Sequence, residues 1–283
     1  MNNIRTIKRR IRGAQQTARI TRAMELIASS KVKKAQSLDL GGKPIADIIR
    51  RVLMDMASLP EVQEIKHPLL LSRPVANIAV VHITPDRGLC GGLDVRVNHL
   101  TADFILKQKV PVSIVAVGRQ GINFMSRWHR DLRAEFTQMS DQIRFADVRP
   151  ISRIIIDDYT RGFVDTVYLA YANFISTFVQ EPVIQQLLPV ETVGTSQTTP
   201  VDFIIEPSPE AILNELARRF VEVEVYHAIL ESIASVQSAR TVAMRNATDS
   251  AYDFIDRLTV SYNKARQEAI TEELLDITAA AIE

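Results

Sequence analysis

The clearest pattern in this chain is a long run of helical spacing towards its C-terminal end. From Glu210 to Glu283 there is no Gly and no Pro, the two residues that most often interrupt a helix. Apolar, aromatic or small residues recur every three or four positions in two series, which are Leu216, Phe220, Val223, His227, Leu230, Ala234 and then Ala243, Ala247, Ala251, Phe254, Leu258, Tyr262, Ala265, Ala269. Ser208 is a suitable N-cap, with Pro209 at the first helical position. The pattern predicts one helix over residues 209–283, a rod of roughly 110 Å.

The N-terminal end carries a matching pattern. Its seam positions follow spacings of 3, 4, 3, 4 and 3 residues: Ile4, Ile7, Ile11, Ala14, Ala18 and Thr21. The stripe continues with a shift of phase through Met24, Ile27, Val32, Ala35 and Leu38. This predicts a second long helix over residues 1–59, with a soft point at 41–44, where two glycines and a proline weaken the helix. Because a single helix gains most of its stability by burying an apolar face, we expect an antiparallel coiled coil of the two. Burial of both helices in a bundle is the alternative.

The middle of the chain has a different pattern, in which short apolar runs alternate with helical stretches. Strand-like runs lie at 75–84, 110–118 and 166–172, and a last edge strand is expected at 200–205. Helical stretches lie at 97–107 and 151–162, with a short helix after residue 118. Residues 60–74 and 189–200 are the expected loops. The fold class predicted is therefore α/β: a small Rossmann-like domain over residues 75–206, carrying the coiled coil.

The charge distribution adds an asymmetry that the net charge of +1 conceals. Residues 1–38 hold ten basic groups and one acidic group, whereas residues 210–283 hold seven basic and thirteen acidic groups. The longest uncharged stretch, Thr166 to Gln180, is too short to span a bilayer. Residues 1–12 are basic with no apolar core after them, so we expect no signal peptide. A single cysteine, Cys90, excludes an internal disulfide and any cysteine-based zinc site.

Candidate chemistry is sparse. Residues 86–93, Asp-Arg-Gly-Leu-Cys-Gly-Gly-Leu, follow a predicted strand and precede a helix, where phosphate-binding loops occur. They lack Gly-Lys-Ser/Thr and the G-x-G-x-x-G spacing, so a tight turn is the favoured interpretation. Cys90 has no histidine coupled to it by spacing, although an enzyme built around Cys90 stays an alternative. No metal-ligand spacing occurs among the histidines, and we expect no cofactor.

The basic N-terminal helix also permits a nucleic-acid-binding coiled coil as an alternative function, since clustered Lys and Arg are typical of phosphate binders. The helix contains no aromatic residue, however, and its charges lie on several faces. Pairing with acidic protein surfaces is the favoured interpretation. From the residues alone, the chain is expected to act by its shape.

Several blocks of the chain resemble a known family. These are Ile7-Lys-Arg-Arg-Ile11, Thr21-Arg-Ala-Met-Glu-Leu-Ile-Ala-Ser-Ser-Lys31, the glycine loop at 86–93, Ser238-Ala-Arg-Thr-Val-Ala-Met-Arg-Asn-Ala-Thr-Asp249 and Tyr262-Asn-Lys-Ala-Arg-Gln-Glu-Ala-Ile-Thr-Glu-Glu273. In this order they resemble the gamma-subunit family of F-type ATP synthases. The resemblance implies the central rotor shaft, which couples rotation of the membrane c ring to conformational change at the beta-subunit catalytic sites and is itself non-catalytic.

The resemblance also implies partners and a location. The partners are the alpha and beta subunits of the catalytic head, the epsilon subunit and the c ring of a proton-translocating complex, with no nucleic acid. The location is peripheral, at the cytoplasmic face of the bacterial plasma membrane. The contact residues implied for the beta subunits are Met24, Arg87, Arg240, Arg266, Gln267 and Thr271. For the c ring the implied contact is Glu206.

Overall fold

The computed structural model describes residues 2–57, 67–128, 132–139, 143–190 and 208–280. The helices are α1 (Asn2–Ala57), α2 (Leu93–Lys107), α3 (Arg119–Arg127), α4 (Phe145–Thr160) and α5 (Pro209–Ala280). The strands are β1 (Ile78–Ile83), β2 (Val112–Val117), β3 (Leu132–Phe136), β4 (Thr166–Phe174) and β5 (Gln180–Leu188). Within these ranges, no helix is long and apolar enough to cross a bilayer.

The two long helices predicted from spacing are present. α1 continues through the expected soft point, with Pro44 inside the helix, although proline removes one backbone donor there. α5 begins where the cap was predicted: Ser208 Oγ accepts a hydrogen bond of 3.3 Å from the Ala211 backbone N–H. The absence of Gly and Pro after residue 209 is the reason that α5 runs for 72 residues.

The middle of the chain forms one five-stranded sheet in the order β3-β2-β1-β4-β5. The first four strands are parallel, and β5 runs antiparallel to β4. All six residues of the central strand β1 are buried, which explains its unbroken apolar run. The predicted strands at 75–84, 110–118 and 166–172 are confirmed as β1, β2 and β4, and α2, α3 and α4 follow as expected.

Two strands were missed by the pattern. β3 and β5 lie at the two edges of the sheet, where one row of backbone groups is unpaired and polar side chains are tolerated. β5 contains Pro182 and several glutamines, which obscured its strand character. The edge strand expected at 200–205 lies outside the described residues.

The chain divides into two compact units, one of residues 1–29 with 240–283 and one of residues 30–239. We call them the terminal unit and the sheet unit. The three-part division into residues 1–59, 75–206 and 209–283 stays a prediction. The sheet unit has a continuous apolar core, in which residues of α1 and α5 such as Leu53 and Leu213 pack with the strands and α4.

Within the sheet unit, α1 and α5 also meet through polar contacts. His227 Nδ1 and Asp39 Oδ1 are 2.8 Å apart, and Arg50 forms an ion pair with Glu224. Position numbers rise along α1 as they fall along α5, which is the order of an antiparallel pair. Gly42 leaves room for the His227 ring, because a Cβ at this position would lie 2.9 Å from Cε1.

In the terminal unit the seam is regular. Positions 4, 7, 11, 14, 18, 21, 25 and 28 of α1, and 244, 248, 251, 255, 258, 262, 265 and 269 of α5, are buried or half-buried. Thr21 faces Thr248. From this contact the buried and half-buried positions extend mainly to lower numbers along α1 and to higher numbers along α5. They lie opposite one another only if the helices run antiparallel, as predicted. Ile27 and Phe254 were wrongly placed in the seam: they are 57% and 49% exposed. In the sheet unit Leu38 is likewise exposed, and Asp39 takes its seam position.

Candidate partner-binding surface

The predicted contact residues of the terminal unit lie on its two helices. Met24 and Arg240 are half-buried, on α1 and α5 respectively. The contact of Thr21 with Thr248 fixes the level of one helix against the other. Met24 is three residues after Thr21 and Arg245 is three residues before Thr248, so the two lie at the same level on antiparallel helices. Arg240 lies about five residues from Arg245, roughly 7.5 Å along the axis of α5. Arg245 is exposed and was missed by the sequence analysis.

Arg266, Gln267 and Thr271 lie together on one stretch of α5, and all three are exposed. Thr271 Oγ1 donates a hydrogen bond of 3.0 Å to the Gln267 backbone oxygen, so the threonine hydroxyl is held against its own helix. Gln267 and Thr271 are four residues apart and therefore share a face. Arg266 is also exposed but lies one residue before Gln267, about 100° around the helix, so only Gln267 and Thr271 share a face.

Arg87 lies in the sheet unit, in the glycine loop that joins β1 to α2, and its side chain is exposed. The loop turns through left-handed backbone at Leu89, Gly91 and Gly92, with φ of 64°, 61° and 80°. Such angles are easily adopted by glycine and are unusual for leucine. The tight turn favoured from the sequence is confirmed, and it leaves Arg87 on the surface.

Cys90, in the same loop, is 1% exposed and packs with Leu93 and Val97. The histidine of β1, His82, is fully buried, and its ring nitrogens lie 2.8 Å from Asn98 Oδ1 and 3.0 Å from Thr101 Oγ1. Burial lowers the pKa of His82 to about 4. A buried thiol and an engaged histidine do not form a nucleophile–base pair, so the enzyme alternative has no support from this geometry.

Glu206 lies outside the described residues. Among the side chains that the structure does describe, no group of three or more His, Cys, Asp or Glu residues could hold a metal ion. The surface of α1 in the terminal unit is instead basic. Its exposed basic residues on α1 are Arg5, Lys8, Arg9, Arg10, Arg12, Arg19 and Arg22.

The terminal unit also exposes large apolar side chains that the sequence analysis did not predict as surface. They are Ile20, Leu26, Ile27, Tyr252, Phe254, Val260, Ile270, Leu274, Leu275 and Ile277. Exposed apolar residues in this number are typical of an interaction surface. A strict seven-residue repeat would have identified two of them, because it selects residue 28 over Ile27 and residue 255 over Phe254.

Comparisons with known proteins agree on one family. The family model described as ATP synthase matches residues 3–282. The chain is 54% identical over 281 residues to an ATP synthase gamma chain of Dehalococcoides mccartyi strain CBDB1, covering 99% of both chains. It is 42% identical to the ATP synthase gamma chain of Herpetosiphon aurantiacus, covering 99% of this chain and 98% of the relative.

Solved structures show the same likeness. A chain of the Tetrahymena thermophila mitochondrial ATP synthase central stalk and c ring superposes with a TM-score of 0.65 at 25% identity, covering 81% of this chain and 99% of that one. A chain of the Euglena gracilis mitochondrial ATP synthase superposes with a TM-score of 0.66 at 18% identity, covering 99% and 93%. The second likeness supports the fold alone.

Proposed function

Because the chain belongs to the ATP synthase gamma chain family, we propose that it is the central-stalk rotor subunit of an ATP synthase. The observation that carries this proposal is the match over nearly the whole chain to gamma chains at 54% identity. The architecture agrees with the role, because two long helices pack along a regular seam and present basic and apolar side chains outwards. The resemblance found in the sequence is confirmed.

The subunit acts through contacts with its partner subunits and catalyses no reaction itself. In the proposed complex, the terminal unit stands among the alpha and beta subunits, while the sheet unit contacts the epsilon subunit and the c ring. Rotation presents different faces of the shaft to each beta subunit in turn. A beta subunit then changes nucleotide affinity because the shaft contacts its conformations unequally.

The basic surface of α1 suits this role for a physical reason. Exposed ion pairs contribute only about 0.2–1 kcal/mol each, so arginines of the shaft can attract acidic partner surfaces and still release them. We assign Met24, Arg240 and Arg87 to contact with the acidic moving element of the beta subunits. Arg266, Gln267 and Thr271 are assigned to a beta-subunit loop around the upper shaft, on the basis of the family resemblance and their shared exposure.

Glu206 is assigned to the polar loops of the c ring on the resemblance alone. In this proposal the chain lies at the cytoplasmic face of a bacterial plasma membrane, as a peripheral subunit with no cofactor of its own. Nucleic-acid binding through α1 is the competing function, and the two are separated by what the chain assembles with.

The contact assignment is tested with the double variant R266A/Q267A in the reconstituted complex. We expect ATP-driven ion pumping per ATP hydrolysed to fall, because the shaft loses a charged and an amide contact that transmit torque. The fold is expected to be unchanged, since both side chains are exposed.

The matched control is K264A/N263A, which also removes one cation and one amide from exposed positions of α5. It is expected to pump as the wild type does. If R266A/Q267A retains wild-type ATPase activity and pumping, those contacts are withdrawn. If the purified chain assembles with no alpha or beta subunit and is retained on DNA in a salt-sensitive manner, the rotor proposal itself fails.

A further inference from the structure

A buried pair of hydroxyl groups interrupts the seam of the terminal unit. Thr21 on α1 and Thr248 on α5 are 8% and 3% exposed. Their Oγ1 atoms are 2.7 Å apart, a hydrogen bond between residues 227 positions apart in the chain. Of the four neighbouring seam positions, Ala18, Ala251 and Met244 carry apolar or small side chains, and the carboxylate of the fourth, Glu25, is bonded to Arg22. Two polar groups facing each other in such a seam need an explanation.

The hydroxyl protons can be fully accounted for at this pair. Thr248 Oγ1 also lies 2.8 Å from the Met244 backbone oxygen, and Thr21 Oγ1 lies 3.1 Å from that of Thr17. Each hydroxyl has one proton. One threonine therefore donates to the other, and the threonine that accepts donates to a carbonyl of its own helix. This arrangement uses both protons and adds one bond between the helices.

On one side of this pair, the nearest seam side chains are small and distinguish poorly between axial positions of the two helices. Small side chains such as Ala14, Ala18 and Ala251 are similar in size, so a displacement along the axis replaces one close contact by another of the same kind. A displaced pair would lose the bond between the helices and place each hydroxyl against hydrocarbon. Single polar residues in coiled-coil seams are known to select one register in this way.

We propose that Thr21 and Thr248 form a positioning pair, which sets the axial register of α1 against α5 in the terminal unit. The register decides which side chains of the two helices lie at the same level on the surface. Through it the pair determines, for example, that Met24 shares its level with Arg245. The pair contacts no partner itself, and its role is independent of whether any single surface residue touches the beta subunits.

The test measures the register directly in the assembled complex. Spin labels are attached to cysteines at the exposed positions Gln15 and Glu268, in a chain carrying C90S and with cysteine-free partner subunits. These two positions are offset along the axis by about 14 residues, roughly 21 Å, so a slip changes the distance between them. Wild-type threonines should give one distance. The variant T21V/T248V should add a second population displaced by about 5 Å, one helical turn, or more.

Conservative and matched variants complete the design. T21S/T248S keeps both hydroxyls and should restore the single distance. T17V and T259V are the controls, because both threonines are exposed and bond only to carbonyls of their own helices, at 3.1 Å and 2.8 Å. They should keep the single distance. If T21V/T248V fails to assemble, the single variants T21V and T248V are used for the same distance measurement. Each removes the bond between the helices with only one substitution.

A single wild-type distance in the valine variants would overturn the proposal. So would an equal second population in the two control variants, which would attribute the slip to helix loosening. Thermal melting supplies an independent reading. T21V, T248V and T21V/T248V should lower the melting temperature by similar amounts, because each removes the same bond. If the melting temperature of the double variant falls by the sum of the two single decreases, the hydroxyls act separately and the proposal of a bonded pair is contradicted.

Discussion

His82 makes the stability of the sheet unit depend on pH in a way that can be calculated. Its ring is fully buried on β1, and burial lowers its pKa from 6.5 to about 4. In the unfolded chain the ring has its ordinary pKa and binds a proton below about pH 6.5. Between these two values the unfolded chain holds one proton more than the folded chain. The free energy of unfolding must therefore fall as the pH drops from about 6.5 to 4.

The size of the effect follows from the two pKa values. The contribution of His82 is close to zero at pH 7 and reaches a loss of about 2 kcal/mol at pH 5. Carboxylates also titrate near pH 5, so the comparison needs a matched chain without the imidazole. H82Q keeps an amide donor that can reach Asn98 and has no group that titrates in this range.

The assay is urea unfolding at pH 7 and pH 5, followed by the fluorescence of Trp128, the one tryptophan of the chain, which lies in the sheet unit. Wild type should lose about 2 kcal/mol more than H82Q between the two pH values. Between pH 7 and pH 8 the difference between the two chains should stay constant. Equal pH dependence in both chains, or a folded-state NMR titration of His82 near pH 6.5, would refute the reasoning.

Glycine positions supply two further predictions, each with an internal control. G118A should abolish folding of the sheet unit or strongly lower its melting temperature, because Gly118 has φ of +93° and a Cβ there would lie 1.9 Å from a backbone oxygen; G88A, with open space around it, should melt as the wild type does. G42A should melt at a lower temperature than G41A, because its Cβ would displace the His227 ring from Asp39. G41A has nothing within 4 Å, and should stabilise the helix by about 1 kcal/mol. Circular dichroism melting checks all four, and a reversed order within either pair would contradict the packing described.

Sequence spacing predicted the long helices well because their burial is periodic. It failed at Ile27 in α1 for a specific reason. The apolar stripe predicts Ile27 as a seam residue, whereas the structure has Glu25 and Ala28 there. In the structure the Glu25 side chain is only 12% exposed at a seam position, and its carboxylate accepts a bond of 2.7 Å from Arg22. A charged residue with a local partner can occupy a seam, so hydrophobicity alone misplaces the phase.

The edge strands show a second physical cause of error. β1 is buried on both faces and reads as a continuous apolar run, whereas β5 mixes buried and exposed positions and contains Pro182. Edge strands tolerate proline and polar residues because one side of their backbone is unpaired. Local composition therefore resembles that of a loop, and only pairing with β4 makes the segment a strand.

For the candidate surface too, some features could be predicted from the sequence and others could not. The residues that the motif on α5 implies as contacts, Arg266, Gln267 and Thr271, are exposed, and their contacts stay a prediction. The level of Arg245 beside Met24 depends on a contact between residues 227 positions apart, which spacing within one helix does not encode. The roles of these side chains depend on surfaces of other chains, whose shape and charge are not written in this sequence.

The most direct test of the central claim is to observe rotation. The chain is assembled with alpha and beta subunits in a C90S background, and a probe particle is attached through one cysteine introduced at an exposed position of the sheet unit, such as Asp103. The catalytic subunits are fixed to a surface and supplied with ATP. The rotor assignment predicts stepwise rotation in one direction that stops when ATP is removed. ATP hydrolysis by an assembled complex whose probe does not rotate would contradict it.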